Sequence, residues 1–233
     1  MDGMRIGGVT ALSSLDYPDA LSAVVFCRGC PWRCPYCQNA ALREIGPGEE
    51  GQEFSRFVDW LEGRRGLLDA VVFSGGEPTL QPGLSEAMTT VRDMGFRIGL
   101  HTAGIFPKTL AGVLPLCDWV GLDIKAPRAL YARASGMIGG DRAAFASLGL
   151  LREAGVTFET RTTWHAALFD EAALTRLAGE LAEEDAGTWM VQAFRPNGCT
   201  DAKLAAAGQA VFPSGLLDRL RAVAPGLTIA LRD

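Results

Sequence analysis

Six cysteines carry the most chemistry in their spacing along this 233-residue chain. Four of them, Cys27, Cys30, Cys34 and Cys37, fall within CRGCPWRCPYC, whereas Cys117 and Cys199 stand apart. In a reducing compartment such a cluster points to metal or redox chemistry before disulfides. Two metal readings compete. All four give Cys-x2-Cys-x3-Cys-x2-Cys, a candidate structural zinc site. The last three give Cys30-x3-Cys34-x2-Cys37, which can bind three irons of a [4Fe-4S] cube. Electron-transfer clusters usually take four cysteines, so an open fourth iron implies a ligand that is not protein. Cys27 ends an apolar run, Ser22 to Phe26, that reads as a buried strand, so its side chain can simply face the core.

Composition bounds the rest. Hydrophobic residues make up 48% and charged residues 21%, a globular balance. Lys and Arg number 22 against 27 Asp and Glu, a net charge of -5, which gives no overall pull on nucleic acid or anionic membrane. No apolar run reaches the roughly 18 residues that span a bilayer. The first residues lack a basic region followed by an apolar stretch, so a cytoplasmic setting is expected.

The motifs together carry a family resemblance. GCPWRCPYCQN, Gly29 to Asn39, resembles the cluster-binding loop of radical S-adenosylmethionine enzymes. Their second motif follows as Ser74-Gly75-Gly76-Glu77-Pro78, after another apolar run. GGVTALSSLDYP, LDIKAP and RTTWH are similar to segments of the activating proteins of anaerobic ribonucleoside-triphosphate reductase, one group of glycyl-radical-enzyme activating proteins. The resemblance implies a single domain over 1–233, with 1–20 as an N-terminal extension and 29–39 as the cluster loop. It implies two cofactors, a [4Fe-4S] cluster on Cys30, Cys34 and Cys37, and S-adenosylmethionine on its open iron. Gly75, Gly76, Glu77 and Pro78 would meet the cofactor's amine. Asp123, Lys125 and Arg161 would lie near the cofactor or the substrate backbone, or else form a structural ion pair. Reductive cleavage would yield a 5′-deoxyadenosyl radical that takes a Cα hydrogen from a glycine of the reductase. The electron would come from a donor such as flavodoxin or ferredoxin. Activation of another glycyl-radical enzyme, of the pyruvate formate-lyase type, is an alternative. So is a small-molecule reaction such as that of 7-carboxy-7-deazaguanine synthase, and so is a non-enzymatic four-cysteine zinc module. Pyruvate formate-lyase activating enzyme has an acidic residue in Asp-Thr-Asn-Gly that helps bind a monovalent cation; this chain has His101-Thr-Ala-Gly104 there.

Positioning these residues takes strands alternating with helices. Strands are expected at Ala23–Phe26, Ala70–Phe73, Arg97–His101, Trp119–Ile124, Thr157–Thr162 and Trp189–Phe194, with TIALRD as a further edge strand. Helical spacing joins Phe54, Phe57, Val58 and Leu61, then Leu84, Ala87, Met88 and Val91, bounded by Pro82 and Gly95. It recurs at Leu174, Leu177, Ala178 and Leu181 after Asp170, a plausible N-cap, and from Ser214 to Gly226. Alternation of this kind means parallel pairing, an α/β chain of about six units, too few for a closed eight-fold barrel. An open, partial β/α barrel fits, with Gly46–Gly51 as a loop.

In such a barrel the chemistry collects at the C-terminal ends of the strands, where Cys30–Cys37, the Gly-Gly-Glu-Pro motif, His101, Asp123, Lys125, Arg161, Gln192 and Arg195 all fall. Arg28 and Arg33 would offset cluster charge, and Trp32 and Tyr36 would either cover the cluster or pack at the surface. Gln38 and Asn39 would bond cluster sulfurs or cap the following helix. His165 is a site or surface residue. Cys117, Cys199, Trp60, Trp119 and Trp189 read as core.

Overall fold

The computed structural model describes residues 4–44 and 52–233; the expected 46–51 loop lies outside the described residues. One sheet runs through the molecule. Its strands are β1 (Arg5–Ser13), β2 (Ser22–Cys27), β3 (Gln52–Glu53), β4 (Ala70–Gly75), β5 (Arg97–Thr102), β6 (Trp119–Asp123), β7 (Thr157–Trp164), β8 (Thr188–Ala193) and β9 (Thr228–Arg232). They pair in the order β3-β1-β2-β4-β5-β6-β7-β8-β9. From β2 to β9 every neighbour is parallel, whereas β1 is antiparallel to both β2 and β3. The parallel strands follow one another in sequence order, as in a barrel, and β3 and β9 are left as edges, so the barrel is open.

The six expected strands are present, and TIALRD forms the edge strand β9. The structure adds β1. Its Gly7-Gly8 and its exposed Val9 and Leu12 mask the apolar alternation by which a strand is read. The N-terminal extension is therefore part of the sheet.

Helices cover one face: α1 (Phe54–Glu62), α2 (Leu84–Asp93), α3 (Pro107–Val113), α4 (Tyr131–Ser135), α5 (Gly140–Ala154), α6 (Glu171–Glu183), α7 (Ala202–Ala206) and α8 (Leu216–Val223). Asp170 caps α6 by accepting the Ala173 N–H at 2.8 Å. The 15-residue α5 is not among the helices expected from the sequence, although its buried Ala144, Phe145, Leu148 and Leu151 recur at helical spacing.

The two-residue period of a strand sorts the side chains. Val71, Phe73, Ile98, Leu100, Val120 and Leu122 face the helices in the main core. Val24, Ala70, Val72 and Trp119 face inward and meet Tyr17 in a second, smaller core that plugs the bottom of the barrel. Full burial of each large apolar side chain contributes about 1.5–3 kcal/mol. Further along each strand the inward positions are polar: Ser74 after Val72, His101 after Gly99, Asp123 after Gly121, and Thr163 after Arg161. The apolar plug and the polar rim thus come from the same alternation.

Of the residues read as core, Trp119 and Trp189 are buried. Trp60 is only half-buried, stacked on Phe57 with the Arg64 guanidinium 4.7 Å from its ring centre. Cys117 and Cys199 are half-buried as well.

Candidate active site

A cavity opens at the C-terminal ends of the strands. Cys30, Cys34, Cys37, Gly75, Gly76, Asp123, Lys125 and Arg161 all line it, together with Trp32, Tyr36 and His101. Eight of the ten residues chosen for cluster or cofactor binding are therefore brought together.

The cysteine loop is held from three sides. At its base the Gly76 N–H donates to the Cys27 carbonyl at 2.8 Å, and the Glu77 N–H donates to that of Gly29 at 2.8 Å. The glycines are needed there. Gly75 has φ of 103°, and a Cβ on it would lie 2.5 Å from the Cys27 nitrogen; one on Gly76 would lie 2.3 Å from the Gly29 oxygen. On the second side the Arg33 N–H donates to the Ser135 carbonyl at 2.9 Å, and the Cys34 thiol lies 3.7 Å from the same oxygen. On the third, Gly198 packs so tightly that a Cβ would overlap the Gln38 carbonyl, and the Cys199 thiol donates to the Pro35 carbonyl at 3.3 Å.

Glu77 and Pro78 are placed behind the cavity, not on its surface. Glu77 is 1% exposed. Its carboxylate accepts the Thr79 N–H at 3.1 Å, the Thr79 hydroxyl at 2.5 Å, the Thr102 hydroxyl at 2.7 Å and the Ala103 N–H at 3.0 Å. It braces the end of β4 against the end of β5. Burial raises its pKa, and those four hydrogen bonds pull the other way.

Asp123 joins two cations in the cavity wall. Lys125 Nζ donates to its Oδ2 at 2.9 Å and Arg161 Nε to its Oδ1 at 3.1 Å. Burial works against the carboxylate, but Lys125 and Arg161 outweigh it and hold the pKa at about 2. Gly121 makes room for the Arg161 guanidinium, which a Cβ would approach to 2.6 Å, and its carbonyl accepts from Nη2 at 3.3 Å. The ion pairs form, and the same side chains line the cavity. Two cations on one carboxylate leave a net positive charge facing the cavity, suited to an anionic ligand group.

His101 is a neutral imidazole. Its Nε2 lies 2.9 Å from the Asp16 carbonyl, which can only accept, so Nε2 carries the proton and Nδ1 accepts from the Ser74 hydroxyl at 3.4 Å. Burial, then Arg161, lowers its pKa to about 3. The imidazole ties the segment after β1 to the cavity wall.

Trp32 and Tyr36 are 2% and 5% exposed, so both cover the cavity and neither is a surface residue. Asn39 precedes the short 3-10 helix Ala40–Leu42, but neither its side chain nor that of Gln38 makes a capping bond: Gln38 Nε2 donates to the Arg195 carbonyl at 3.2 Å and Asn39 Nδ2 to that of Gly75 at 3.3 Å. Arg33 pairs with Glu44 at 3.0 Å and bonds the Cys30 carbonyl, on the outer side of the loop. His165 lies off the cavity, packed on Phe194. Three residues that the sequence reading passed over now have places: Ser135 against Cys34, Gly198 against Gln38, and Asp16 against His101. Their only sequence signals were a helix end, a glycine and an acidic turn residue, none of them specific.

The donor set suits a cluster better than one zinc ion. Cys27 is wholly buried and absent from the cavity lining. Among the described residues no three His, Cys, Asp or Glu side chains converge on a single ion position, yet three cysteines line one cavity. The Tyr36 hydroxyl is buried in that wall with no hydrogen-bond partner among the described residues. Burial pushes the Cys30 thiol up to about 12, so its thiolate needs a bound cation. Spread thiols, an orphaned hydroxyl and a glycine cradle fit a multi-iron group with an organic ligand beside it.

The family model described as the radical SAM superfamily matches residues 24–166, the span from β2 to just past β7. The chain belongs to this superfamily. It is thus an enzyme that uses a [4Fe-4S] cluster and S-adenosylmethionine. A protein of Methanocaldococcus jannaschii, provisionally named a glycyl-radical enzyme activating enzyme, is 30% identical over 84% of this chain and 82% of its own length. Solved radical SAM folds are also similar. SuiB of Streptococcus suis, bound to S-adenosylmethionine, superposes with a TM-score of 0.66 at 12% identity, over 88% of this chain and 48% of that one. A radical SAM methyltransferase of Sphaerobacter thermophilus gives 0.65 at 19% identity, over 93% and 67%. At such identities these two structures show a shared fold, the open barrel, and nothing more. Among the described residues no helix is long and apolar enough to cross a membrane.

Proposed function

We propose that this radical SAM enzyme activates a glycyl-radical enzyme, and that its partner is anaerobic ribonucleoside-triphosphate reductase. The observation that carries the reading is the one cavity lined by the three cysteines, by Gly75 and Gly76, and by the Asp123–Lys125–Arg161 group. Support for the partner class comes from the similarity to a provisionally named activating enzyme over most of both chains. Support for the particular partner is the resemblance of GGVTALSSLDYP, LDIKAP and RTTWH.

In this reading Cys30, Cys34 and Cys37 hold the cluster. When bound, it supplies one electron to the sulfonium of S-adenosylmethionine, releasing methionine and a 5′-deoxyadenosyl radical. The chain's own residues bind, orient and exclude water. Gly75 and Gly76 let backbone approach the cofactor's amine. Glu77 and Pro78 act one step back, fixing the shape of that turn. Lys125 and Arg161 attract the cofactor's carboxylate, with Asp123 holding both in place. Trp32 and Tyr36 keep water out. The partner's glycine segment enters by the wider mouth of the barrel, lined by Leu15, Gln192, Arg195 and Arg232. Residues 1–233 act as a single domain, and an oxygen-poor cytoplasm is the setting that suits the cluster.

The test mixes the reduced, cluster-loaded protein and S-adenosylmethionine with anaerobic ribonucleotide reductase under strict anaerobiosis. A glycyl-radical doublet in the EPR spectrum is expected. No doublet with the reductase but one with a pyruvate formate-lyase moves the partner to that class. Cofactor cleavage with no doublet on either favours a small-molecule substrate.

A further inference from the structure

We propose that the outer wall of the cysteine loop, with the turn between α4 and α5, is the docking face for a small acidic protein that delivers single electrons. The proposal rests on the radical SAM reading, which requires one electron from outside the cavity.

The cysteine loop has two sides. Cys30, Trp32, Cys34, Tyr36 and Cys37 face the cavity, whereas Arg33 and Pro35 face outward. The turn after α4 is built onto that outer side. Ser135 accepts the Arg33 N–H, a Cβ on Gly136 would lie 2.8 Å from the Arg33 oxygen, and one on Gly140 would lie 3.2 Å from the Trp32 ring. Gly136 and Gly139 are left-handed, with φ of 69° and 76°, and carry Met137 and Ile138 between them at the tip. Ile138 is 91% exposed and Met137 37%. Ile138, held out into water, contributes nothing to the core. Set on the wall of a redox site, Met137 and Ile138 suit a contact that forms and dissociates.

Charge selects the partner. Arg133, Arg142 and Lys203 are exposed around this turn, Arg133 and Lys203 sharing a groove with Pro35. Among the described residues none of the three has a carboxylate partner, and Arg33 keeps Glu44. The nearby Asp201 is engaged at the start of α7, where it accepts the Leu204 N–H, and Asp141 lies in the first turn of α5. On a chain of net charge -5, a cation-rimmed apolar tip is a local exception that favours an acidic partner. Electron transfer falls steeply with distance, and on this face the Cys34 thiol is separated from the turn by one contact, to the Ser135 carbonyl. The wider barrel mouth lies elsewhere, lined by Leu15, Arg195 and Arg232, so the electron carrier and the glycine segment need not compete.

The step transfers one electron. The carrier's reduced centre is oxidised by one electron and the group on the three cysteines is reduced by one; no bond is made or broken.

Flavodoxin serves as the probe, oxidised for binding and as its hydroquinone for electron delivery. In the cluster-loaded protein, Arg133→Glu with Arg142→Glu, and separately Ile138→Asp, are expected to weaken oxidised flavodoxin binding about tenfold or more. They should slow bleaching of the cluster absorption by flavodoxin hydroquinone to a similar extent, and higher salt should narrow the charge-variant difference. Bleaching by dithionite, and 5′-deoxyadenosine formation driven by dithionite, should match the parent protein. Variants that bind and accept electrons from flavodoxin as the parent does would overturn the proposal, as would a parent that binds no flavodoxin. Failure of the parent with dithionite would instead overturn the radical SAM reading beneath it.

Discussion

Replacing Cys30, Cys34 or Cys37 singly with Ala is expected to abolish 5′-deoxyadenosine formation and to lower bound iron well below four per chain, whereas Cys27→Ala keeps both. The four cysteines lie within eleven residues, but the structure divides them. Cys30, Cys34 and Cys37 line the cavity; Cys27 ends β2 at 0% exposure, within the apolar core. Burial pushes its thiol well above the ordinary range, and Glu77 adds to the effect, so it stays protonated. Losing its sulfur costs a small cavity, about 1–2 kcal/mol of stability. Iron analysis, the iron-sulfur absorption band and product formation, read on all four variants, check the division. Equal loss of iron and product in a folded Cys27→Ala protein would make Cys27 a cluster ligand and overturn the three-cysteine assignment.

The second large effect is expected at the glycine cradle. A Cβ on Gly75 would stand 2.5 and 2.7 Å from the Cys27 nitrogen and oxygen, and one on Gly76 2.3 Å from the Gly29 oxygen. These are backbone atoms at the root of the cysteine loop, so they cannot swing aside. Gly75→Ala and Gly76→Ala must either displace the loop or break the Gly76–Cys27 and Glu77–Gly29 hydrogen bonds. Each is expected to cost about 3 kcal/mol or more and to remove S-adenosylmethionine binding. Gly66→Ala separates backbone strain from collision. Its φ is 75°, yet nothing lies within 4 Å of the new methyl. Its cost should stay near 1–2 kcal/mol, from the left-handed backbone alone, with binding intact. Denaturant unfolding and equilibrium dialysis of S-adenosylmethionine measure both quantities. Similar losses in all three variants would mean that strain and not the cradle governs this site.

Much of this was legible in the sequence because the parallel strands are nearly continuous apolar runs ending in motifs. Ala70 to Phe73 is wholly buried, and the Gly-Gly-Glu-Pro motif follows it directly. The strand β1 was not legible, since its outward residues give no alternation. Side-chain direction after a sharp turn was also out of reach. The left-handed Gly75 turns the chain so that Glu77 points back to Thr102 and away from the cavity, and spacing alone does not encode that. The loop's lateral supports, Ser135 and Gly198, lie 101 residues beyond Cys34 and far beyond Gln38, so only the folded chain reveals them.

A glycine Cα hydrogen of the partner polypeptide is expected to pass to the radical formed in this cavity. The most direct measurement uses anaerobic ribonucleotide reductase made with glycine deuterated at Cα, incubated with the reduced enzyme and S-adenosylmethionine. Deuterium is expected in the 5′-deoxyadenosine, with a glycyl-radical signal rising with it. Undeuterated 5′-deoxyadenosine, formed at the same rate with and without the reductase, would contradict that transfer.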